Sequence, residues 1–124
     1  MRAAFAFAAL LGLGAAGPAD ARPSVRSHHT AQRRHGACHA AVDEIIPAGL
    51  RSIFHRVVTR ESSGNPSAVH RNRNGTIDRG CTQINSVHRQ SAACLFDARC
   101  NIRYAYRLYR RDGVSPWNAS SGGH

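Results

Sequence analysis

The chain has 124 residues, of which 17 are arginine, none is lysine and 7 are acidic, so its formal net charge is +10 at pH 7. This charge predicts a strongly basic surface that attracts polyanions of several kinds, and the charge alone does not choose among them. The length permits one domain with a modest core.

The first 21 residues have the features of a secretory signal peptide. Arg2 precedes an apolar, alanine-rich run from Ala3 to Gly14, and Ala19-Asp20-Ala21 is a cleavage site of the A-x-A type. The apolar run is too short to span a bilayer as a permanent helix. The sequence therefore predicts export, to the periplasm or the cell exterior, without a stable membrane anchor.

Residues 22–36 are rich in arginine, histidine and serine and contain almost no apolar side chains, so we expect a flexible basic arm. The remaining residues, 37–124, form the predicted folded domain. Its first helix is expected from about Cys38 to Ile46, before the helix-breaking segment Pro47-Ala48-Gly49.

The second predicted helix, from about Gly49 to Ser62, carries the first functional candidate. Its apolar residues recur at helical spacing: Leu50, Ile53, Phe54, Val57 and Val58. Glu61 occupies the next position of this stripe, which places a carboxyl group on an apolar helix face. Because desolvation disfavours the charged form of a carboxyl group, we expect Glu61 to hold a proton near neutral pH, as a general acid must.

The second candidate, Asp78, follows a predicted turn. Asn74-Gly75 is a strong signal for a type I′ hairpin turn, and the β-branched pair Thr76-Ile77 comes directly after it. We therefore expect Asp78 on a short hairpin in a polar setting. Two carboxyl groups in unlike settings can differ in pKa and act as a catalytic pair. The residues alone leave simpler interpretations open, namely a Glu61 that faces water and an Asp78 that caps the backbone.

The segments after the hairpin are predicted to be mainly helical. Gln83 to Cys94 is mixed, with a helix expected from about Val87. Another helix is expected from Asn101 to Arg111, with Asp97 as an upstream cap and Asp112-Gly113 as its stop. The predicted fold class is α+β, mainly α, with helices around one small β-hairpin.

Four cysteines after an export signal indicate disulfides. Cys38, Cys81, Cys94 and Cys100 allow three pairings. Cys94 and Cys100 flank a short segment and could close a local loop, and this arrangement would leave Cys38 to pair with Cys81.

Several motifs between Ile45 and Trp117 occur in the order found in the lysozyme-like superfamily. They are Glu61-Ser62, Asn65-Pro66 with Ala68, Asn72-Arg73-Asn74-Gly75-Thr76-Ile77-Asp78, Gly80, Gln83-Ile84-Asn85-Ser86, Leu95-Phe96-Asp97, Asn101-Ile102 and Trp117. The chain resembles in particular the small soluble-type lytic transglycosylases (SLT domains) that accompany secretion and conjugation systems, and more distantly the c-type lysozymes. The resemblance implies a lysozyme-like fold with the small β-hairpin beside the catalytic helix.

The resemblance also implies an activity, which is cleavage of the β-1,4 bond between N-acetylmuramic acid and N-acetylglucosamine in peptidoglycan glycan strands. Glu61 would be the catalytic acid, with no metal or cofactor. A lytic transglycosylase would use Glu61 again as the base and form 1,6-anhydro-muramyl ends, whereas a c-type lysozyme would use Asp78 as second carboxylate and hydrolyse the bond. Asp78 fits both groups, but Glu61-Ser62 and the segment from Leu95 to Ile102 favour the transglycosylases. A secretion or conjugation apparatus is the further partner that the resemblance implies.

The same resemblance supplies the substrate-binding candidates, which are Ser62, Gln83, Asn85, Ser86 and Trp117. Amide and backbone groups after the hairpin can form hydrogen bonds with sugar acetamides, and Trp117 matches an indole that packs beside the acid in lysozymes. A polar turn and plain core filling are the simpler interpretations.

The chain also departs from the family pattern. Cys81-Thr82 stand where many relatives have two larger hydrophobic residues, and Ala119-Ser120-Ser121 stand where many have Ala-Tyr-Asn. The tyrosine that usually faces the acid is thus missing, and Tyr104, Tyr106 and Tyr109 are its candidate replacements unless they fill the core. These departures keep open a third function, a peptidoglycan-binding module without catalysis.

Other classes of function have weaker signals. Arginines are scattered along the chain without a recognised nucleic-acid-binding module, so nucleic acid is not an expected partner. His35, Cys38 and His39 suggest a zinc site, but the C-x-x-C spacing is absent. Asn72-Arg73-Asn74-Gly75 lacks the acidic ligands of a calcium loop. We therefore expect no metal site.

Overall fold

The computed structural model describes residue 14 and residues 36–118. The rest of the predicted signal peptide, residues 22–35 of the predicted arm and residues 119–124 lie outside the described residues. Within the described part, no helix is long and apolar enough to cross a membrane.

The described chain folds into helices around a small three-stranded sheet. The helices are α1 (residues 36–45), α2 (Arg51–Ser62), α3 (Ala92–Phe96) and α4 (Ala98–Asp112). The strands are β1 (Val69–Arg71), β2 (Ile77–Arg79) and β3 (Ile84–Asn85), antiparallel in that order. Short 3₁₀ turns lie at Ala48–Leu50, Ser86–His88 and Ser115–Trp117. The predicted α+β, mainly α class is confirmed, and α1 already includes Gly36, which the sequence analysis assigned to the arm.

The start and stop signals of α4 act as the sequence predicts. The Oδ1 of Asp97 accepts a hydrogen bond from the backbone N–H of Cys100 at 2.8 Å, which satisfies one of the free donors at the helix start. Gly113 ends the helix with a φ of 62°. The helix begins earlier than expected, at Ala98, directly after its cap.

The turn between β1 and β2 is not the predicted type I′ turn. A type I′ turn needs a positive φ at both central residues, but only Gly75, at 84°, has one, and Asn74 does not. The backbone N–H of Gly75 donates to the carbonyl of Asn72 at 3.0 Å, and that of Asn72 donates to Thr76 at 2.9 Å. The bond between Asn72 and Thr76 closes a loop of three residues, 73–75, one more than in a two-residue hairpin turn, and its glycine has a positive φ.

The predicted helix from about Val87 is also wrong. Ile84–Asn85 forms strand β3 beside β2, so the predicted hairpin becomes a three-stranded sheet. The 3₁₀ turn that follows ends at Arg89, whose φ is 55°. The next helix, α3, starts only after Ser91, whose hydroxyl accepts from the N–H of Cys94 at 3.1 Å.

The core lies between α2 and α4. It contains Phe54, Val57 and Val58 from α2, Ile102, Ala105 and Leu108 from α4, and Val42, Ile46, Ile84, Leu95 and Trp117 from the surrounding elements. The Phe54 ring meets the rings of Tyr106, Tyr109 and Trp117 edge to face, with centroids 5.5 to 6.3 Å apart. Burial of a large apolar side chain contributes about 1.5–3 kcal/mol, so the contacts of Phe54 stabilise the packing of α2 against α4 and the last 3₁₀ turn.

Two disulfides connect elements that are adjacent in space. Cys38 of α1 bonds to Cys81 after β2, and Cys94 of α3 bonds to Cys100 of α4. These are the pairs that the spacing of the cysteines suggested. Since the sulfur of Cys38 is in a disulfide, it does not serve as a zinc ligand.

Hydrogen-bonded polar side chains connect α1 to α2. His55 of α2 contacts His39 through Nδ1 and Asp43 through Nε2, each at 2.8 Å. Burial and the neighbouring His55 lower the pKa of His39, with a smaller opposing effect from Asp43. The two nitrogens of His55 face different partners, so the three side chains do not converge on one point.

Candidate active site

A cleft of about 590 Å³ lies between the sheet and the ends of α2 and α4. Glu61 of α2 and Asp78 of β2 both line it, although seventeen positions separate them in the sequence. Residues of the loop between β1 and β2 contribute further walls, together with Trp117 of the last 3₁₀ turn. The two carboxyl groups that the sequence singled out thus share one cavity.

Glu61 lies in the last turn of α2 and is half-buried. The helix ends at Ser63, which has a φ of 52°, so the chain turns toward the sheet directly after this carboxyl group. The hydroxyl of Ser62 lies 2.8 Å from the carbonyl of Cys81 and 3.1 Å from that of Val58, so its single hydrogen is shared between the two acceptors and joins the helix end to the segment after β2. Ser62 therefore positions Glu61.

The pKa of Glu61 is raised above its ordinary value of 4.5. Burial is the main cause, because it removes water from the charged form, and the negative charge of Asp78 adds to the effect. His70 of β1, which pairs with Asp78 across the sheet, lowers the pKa by a smaller amount. Glu61 therefore keeps its proton to a higher pH than an exposed glutamate.

Asp78 lies in the central strand and both of its carboxylate oxygens accept hydrogen bonds. Asn72 donates to Oδ2 at 2.9 Å, and Asn85 donates to Oδ1 at 2.7 Å. The same two amide groups lie 3.1 and 3.0 Å from the hydroxyl oxygen of Thr76. These bonds hold the carboxyl group of Asp78 in a fixed orientation within the cleft.

A family model described as a lysozyme-like domain, of the SLT type, matches residues 52–119, which is more than half of the chain. The chain belongs to the lysozyme-like domain family. Membership indicates, at the level of the family, an activity that cleaves glycosidic bonds in peptidoglycan. Among curated proteins, none matches the chain.

In this lysozyme-like domain the predicted substrate-binding residues have different surroundings. Gln83, Asn85 and Trp117 line the cleft, whereas Ser62 and Ser86 are not part of its lining within the described residues. The hydroxyl of Ser86 accepts from the N–H of Ile77 at 3.1 Å and so connects the 3₁₀ turn to β2.

Gln83 and Asn85 also have structural roles. The side-chain amide of Gln83 donates to the carbonyls of Ala68 at 3.1 Å and Gly80 at 3.0 Å, and its own φ is 53°. The side-chain oxygen of Asn85 accepts from the N–H of Val87 at 3.0 Å, while its amide contacts Asp78. Both side chains thus shape the wall of the cleft that they line.

The departure at Cys81-Thr82 is accommodated by a buried polar network. Thr82 and Asn101 are fully buried, and Asn101 Oδ1 accepts from the N–H and hydroxyl of Thr82 at 3.1 and 2.7 Å. The amide of Asn101 donates to the carbonyls of Arg79 and Leu95 at 3.1 and 3.0 Å. A threonine replaces a hydrophobic residue here without leaving a buried polar group unpaired.

Trp117 is attached to this network. Its indole N–H donates to the carbonyl of Thr82 at 2.9 Å, and only 5 % of its surface is exposed. Trp117 therefore fills the core and lines the cleft, so the two interpretations of this residue hold together.

The candidate replacements for the missing family tyrosine do not line the cleft within the described residues. Tyr106 and Tyr109 pack edge to face on Phe54, and Tyr104 packs against the ring of His88 with centroids 5.7 Å apart. The interpretation as core and surface packing is the one that the structure supports.

Sequence reasoning assigned no role to some residues of the cleft. Asn72, which donates to Asp78, and Thr76, whose hydroxyl oxygen accepts from Asn72, were visible only as parts of a family motif. Arg73 lies within the same motif, whereas His88 lines the cleft without any local sequence signal. Among the described residues, no group of three or more histidine, cysteine or acidic side chains is arranged to hold a metal ion.

Proposed function

We propose that this protein is a lytic transglycosylase that cleaves the bond between N-acetylmuramic acid and N-acetylglucosamine in peptidoglycan. The observation that carries the proposal is a half-buried Glu61 with a raised pKa in a cleft shared with Asp78. Membership of an SLT-type family supports attack by the muramyl 6-hydroxyl over hydrolysis by water. The folded domain, residues 37–124, would act after export directed by residues 1–21.

In the first step Glu61 donates its proton to the glycosidic oxygen. The bond from that oxygen to C1 of the muramyl sugar breaks, and the leaving strand keeps the proton as a new hydroxyl. Positive charge develops at C1, and the carboxylate of Asp78 stabilises it electrostatically. Because its pKa is raised, Glu61 keeps the proton that this step consumes to a higher pH than an exposed glutamate would.

In the second step the same carboxylate acts as a base. Glu61 accepts the proton of the muramyl 6-hydroxyl, whose oxygen bonds to C1 and forms the 1,6-anhydro ring. The step restores protonated Glu61, so one residue serves as acid and then as base. Neither step consumes a metal ion, a cofactor or water.

Hydrolysis is the second candidate function, because Asp78 lies in the same cleft and its charge acts on Glu61. In a retaining hydrolase Asp78 would attack C1 or stabilise it until water completes the reaction. We favour the role of stabiliser, because both oxygens of Asp78 already accept amide hydrogen bonds.

We propose that Gln83, Asn85 and Trp117 contact the bound glycan, since they line the cleft. Ser62 and Ser86 would act on binding through the positions of Glu61 and β2. Recruitment by a secretion or conjugation apparatus stays a prediction from the family resemblance.

Product analysis tests the proposal. Purified peptidoglycan is digested with the wild type, Glu61→Gln, Asp78→Asn and the control Glu44→Gln, which removes an exposed carboxylate on α1. We expect 1,6-anhydro ends from the wild type and the control, a moderate loss in Asp78→Asn and no cleavage by Glu61→Gln, because the amide keeps the shape but has no proton to transfer.

Other outcomes of the digestion would identify the alternatives. Reducing muramyl ends, with Asp78→Asn as inactive as Glu61→Gln, would show a hydrolase. Near-normal turnover by Glu61→Gln would remove this residue from the mechanism. A wild type that binds peptidoglycan in sedimentation without cleaving it would be a binding module.

A further inference from the structure

Helix α4 carries a row of exposed arginines. At about 100° per residue, Arg103, Arg107 and Arg110 lie within a sector of about 60° on one helix face. All three are exposed and, within residues 36–118, form no ion pair, whereas Arg111 is paired with Asp112. This face of α4 therefore has uncompensated positive charge.

Arg107 is connected to the cleft through two ring contacts. Its guanidinium carbon lies 5.0 Å from the centroid of the Tyr104 ring. The Tyr104 ring in turn meets the ring of His88 edge to face, with centroids 5.7 Å apart, and His88 lines the cleft. Leu108, the next residue after Arg107, lines the cleft as well. Arg107 does not itself line the cleft, but Tyr104 links it to His88 in the cleft wall.

The contact with Tyr104 suits Arg107 to one kind of ligand. A guanidinium over an aromatic ring is held by cation–π attraction, and Arg107 is exposed, so its N–H donors are open to a ligand. Such a planar pair of donors fits a carboxylate with two parallel hydrogen bonds. The nearby carboxylate of Asp112 is occupied by Arg111, at 2.6 and 2.8 Å.

We propose that Arg107, supported by Tyr104 and His88, binds a carboxylate of the peptide stems that branch from the muramyl residues of the glycan strand. The inference rests on the proposed peptidoglycan substrate. Stems leave the strand at the muramyl sugar, so a strand in the cleft presents their carboxylates along its length, and Arg107 is linked to the cleft wall through Tyr104 and His88. Arg107 would then make the enzyme prefer strands that carry peptides.

The test compares two substrates, which are intact peptidoglycan and the same strands after an amidase has removed the stems. We expect Arg107→Gln to lower the ratio of kcat/KM on intact strands to that on stripped strands by about threefold to tenfold. Arg107→Lys should give an intermediate ratio, because it keeps the charge without the planar donors. Arg56→Gln, which removes an exposed arginine from α2, is the matched control and should keep the wild-type ratio. Added salt should shrink the difference, since the site is exposed.

The outcomes separate this inference from the proposed function. A wild-type ratio in Arg107→Gln, or an equal fall in Arg56→Gln, would overturn the inference while cleavage itself persists. If the wild type cleaves neither substrate, the proposed function fails and sedimentation with the two substrates decides the inference. If the wild type sediments more strongly with intact strands than with stripped strands and Arg107→Gln does not, the stem site is supported. Equal sedimentation of the wild type and Arg107→Gln with intact strands would overturn it.

Discussion

The protonation of Glu61 links activity to stability. In the folded protein its pKa lies above the ordinary value of 4.5, because of burial and the charge of Asp78. Between these two pKa values the folded state binds more protons than the unfolded state. The contribution of Glu61 to the unfolding free energy is therefore complete below about pH 4.5 and is lost as the pH rises through the folded pKa.

Glu61→Gln should therefore raise the melting temperature at neutral pH relative to the wild type. Glutamine has no charge to desolvate, so the variant avoids the loss that the wild type suffers as the pH rises. The difference should grow from about pH 4.5 upward and then become constant. Melting temperatures of both proteins from pH 4 to 8 would check this, and a difference independent of pH would contradict it.

Asp78→Asn should move the alkaline limb of the kcat/KM profile to lower pH. The substitution removes a negative charge that raises the pKa of Glu61, so the acid loses its proton earlier. Activity at the optimum should fall moderately, because an asparagine here would turn an N–H₂ group toward the donors of Asn72 or Asn85.

The control for the pH profile is Asp43→Asn, which removes a charge from α1, outside the lining of the cleft. It should leave the alkaline limb in place. An unmoved limb in Asp78→Asn would show that the charge of Asp78 does not act on Glu61.

At the scale of elements, Gly80 allows the segment after β2 to approach α3 and α4. Its φ is 79°, and its N–H donates to the carbonyl of Ala68 at 2.8 Å. A Cβ at this position would overlap with the carbonyl oxygen of Leu95 and with the side-chain amide of Asn101. These are backbone and fully hydrogen-bonded atoms, so they have little freedom to move away.

Gly80→Ala should lower the unfolding free energy by about 2–4 kcal/mol, from the positive φ together with the overlap. Gly75→Ala is the matched control, because Gly75 has a φ of 84° with open space around its Cβ position. It should cost about 1–2 kcal/mol from the backbone conformation alone. Denaturant titrations of the two variants measure the difference, and equal losses would mean that the overlap is relieved.

At the scale of the whole molecule, the two disulfides constrain the chain unequally. Cys38–Cys81 closes a loop with a sequence separation of 43, and Cys94–Cys100 closes one of 6. The chain-entropy model gives about 4 kcal/mol for the long loop and about 2 kcal/mol for the short one. The long loop also joins α1 to the segment that contacts Ser62.

Replacing Cys38 and Cys81 by alanine should therefore destabilise the protein more than replacing Cys94 and Cys100. Denaturant unfolding of the two double variants compares the costs directly. Thiol titration of the denatured wild type should find no free thiol. Four free thiols, or a greater loss from the short loop, would contradict this account.

The sequence by itself determined the features that depend on neighbouring residues. The apolar stripe of α2 predicted a helix with Glu61 on its buried side, and Asp97 and Gly113 marked the ends of α4. Family motifs named Asp78, Gln83 and further residues that line the same cleft. Periodicity and caps need only a few consecutive residues, which is why they could be recognised without a structure.

Only the tertiary structure decided how the segments after α2 meet. Strand β3 has two residues, too few for a pattern, and it forms because β2 lies beside it. The loop before β2 departs from the type I′ turn while Asn72 bonds to Thr76 and Asp78. The buried contacts of Thr82 with Asn101 and Trp117 join positions 19 and 35 residues apart. Such contacts form between elements already packed together, so no local pattern in the sequence specifies them.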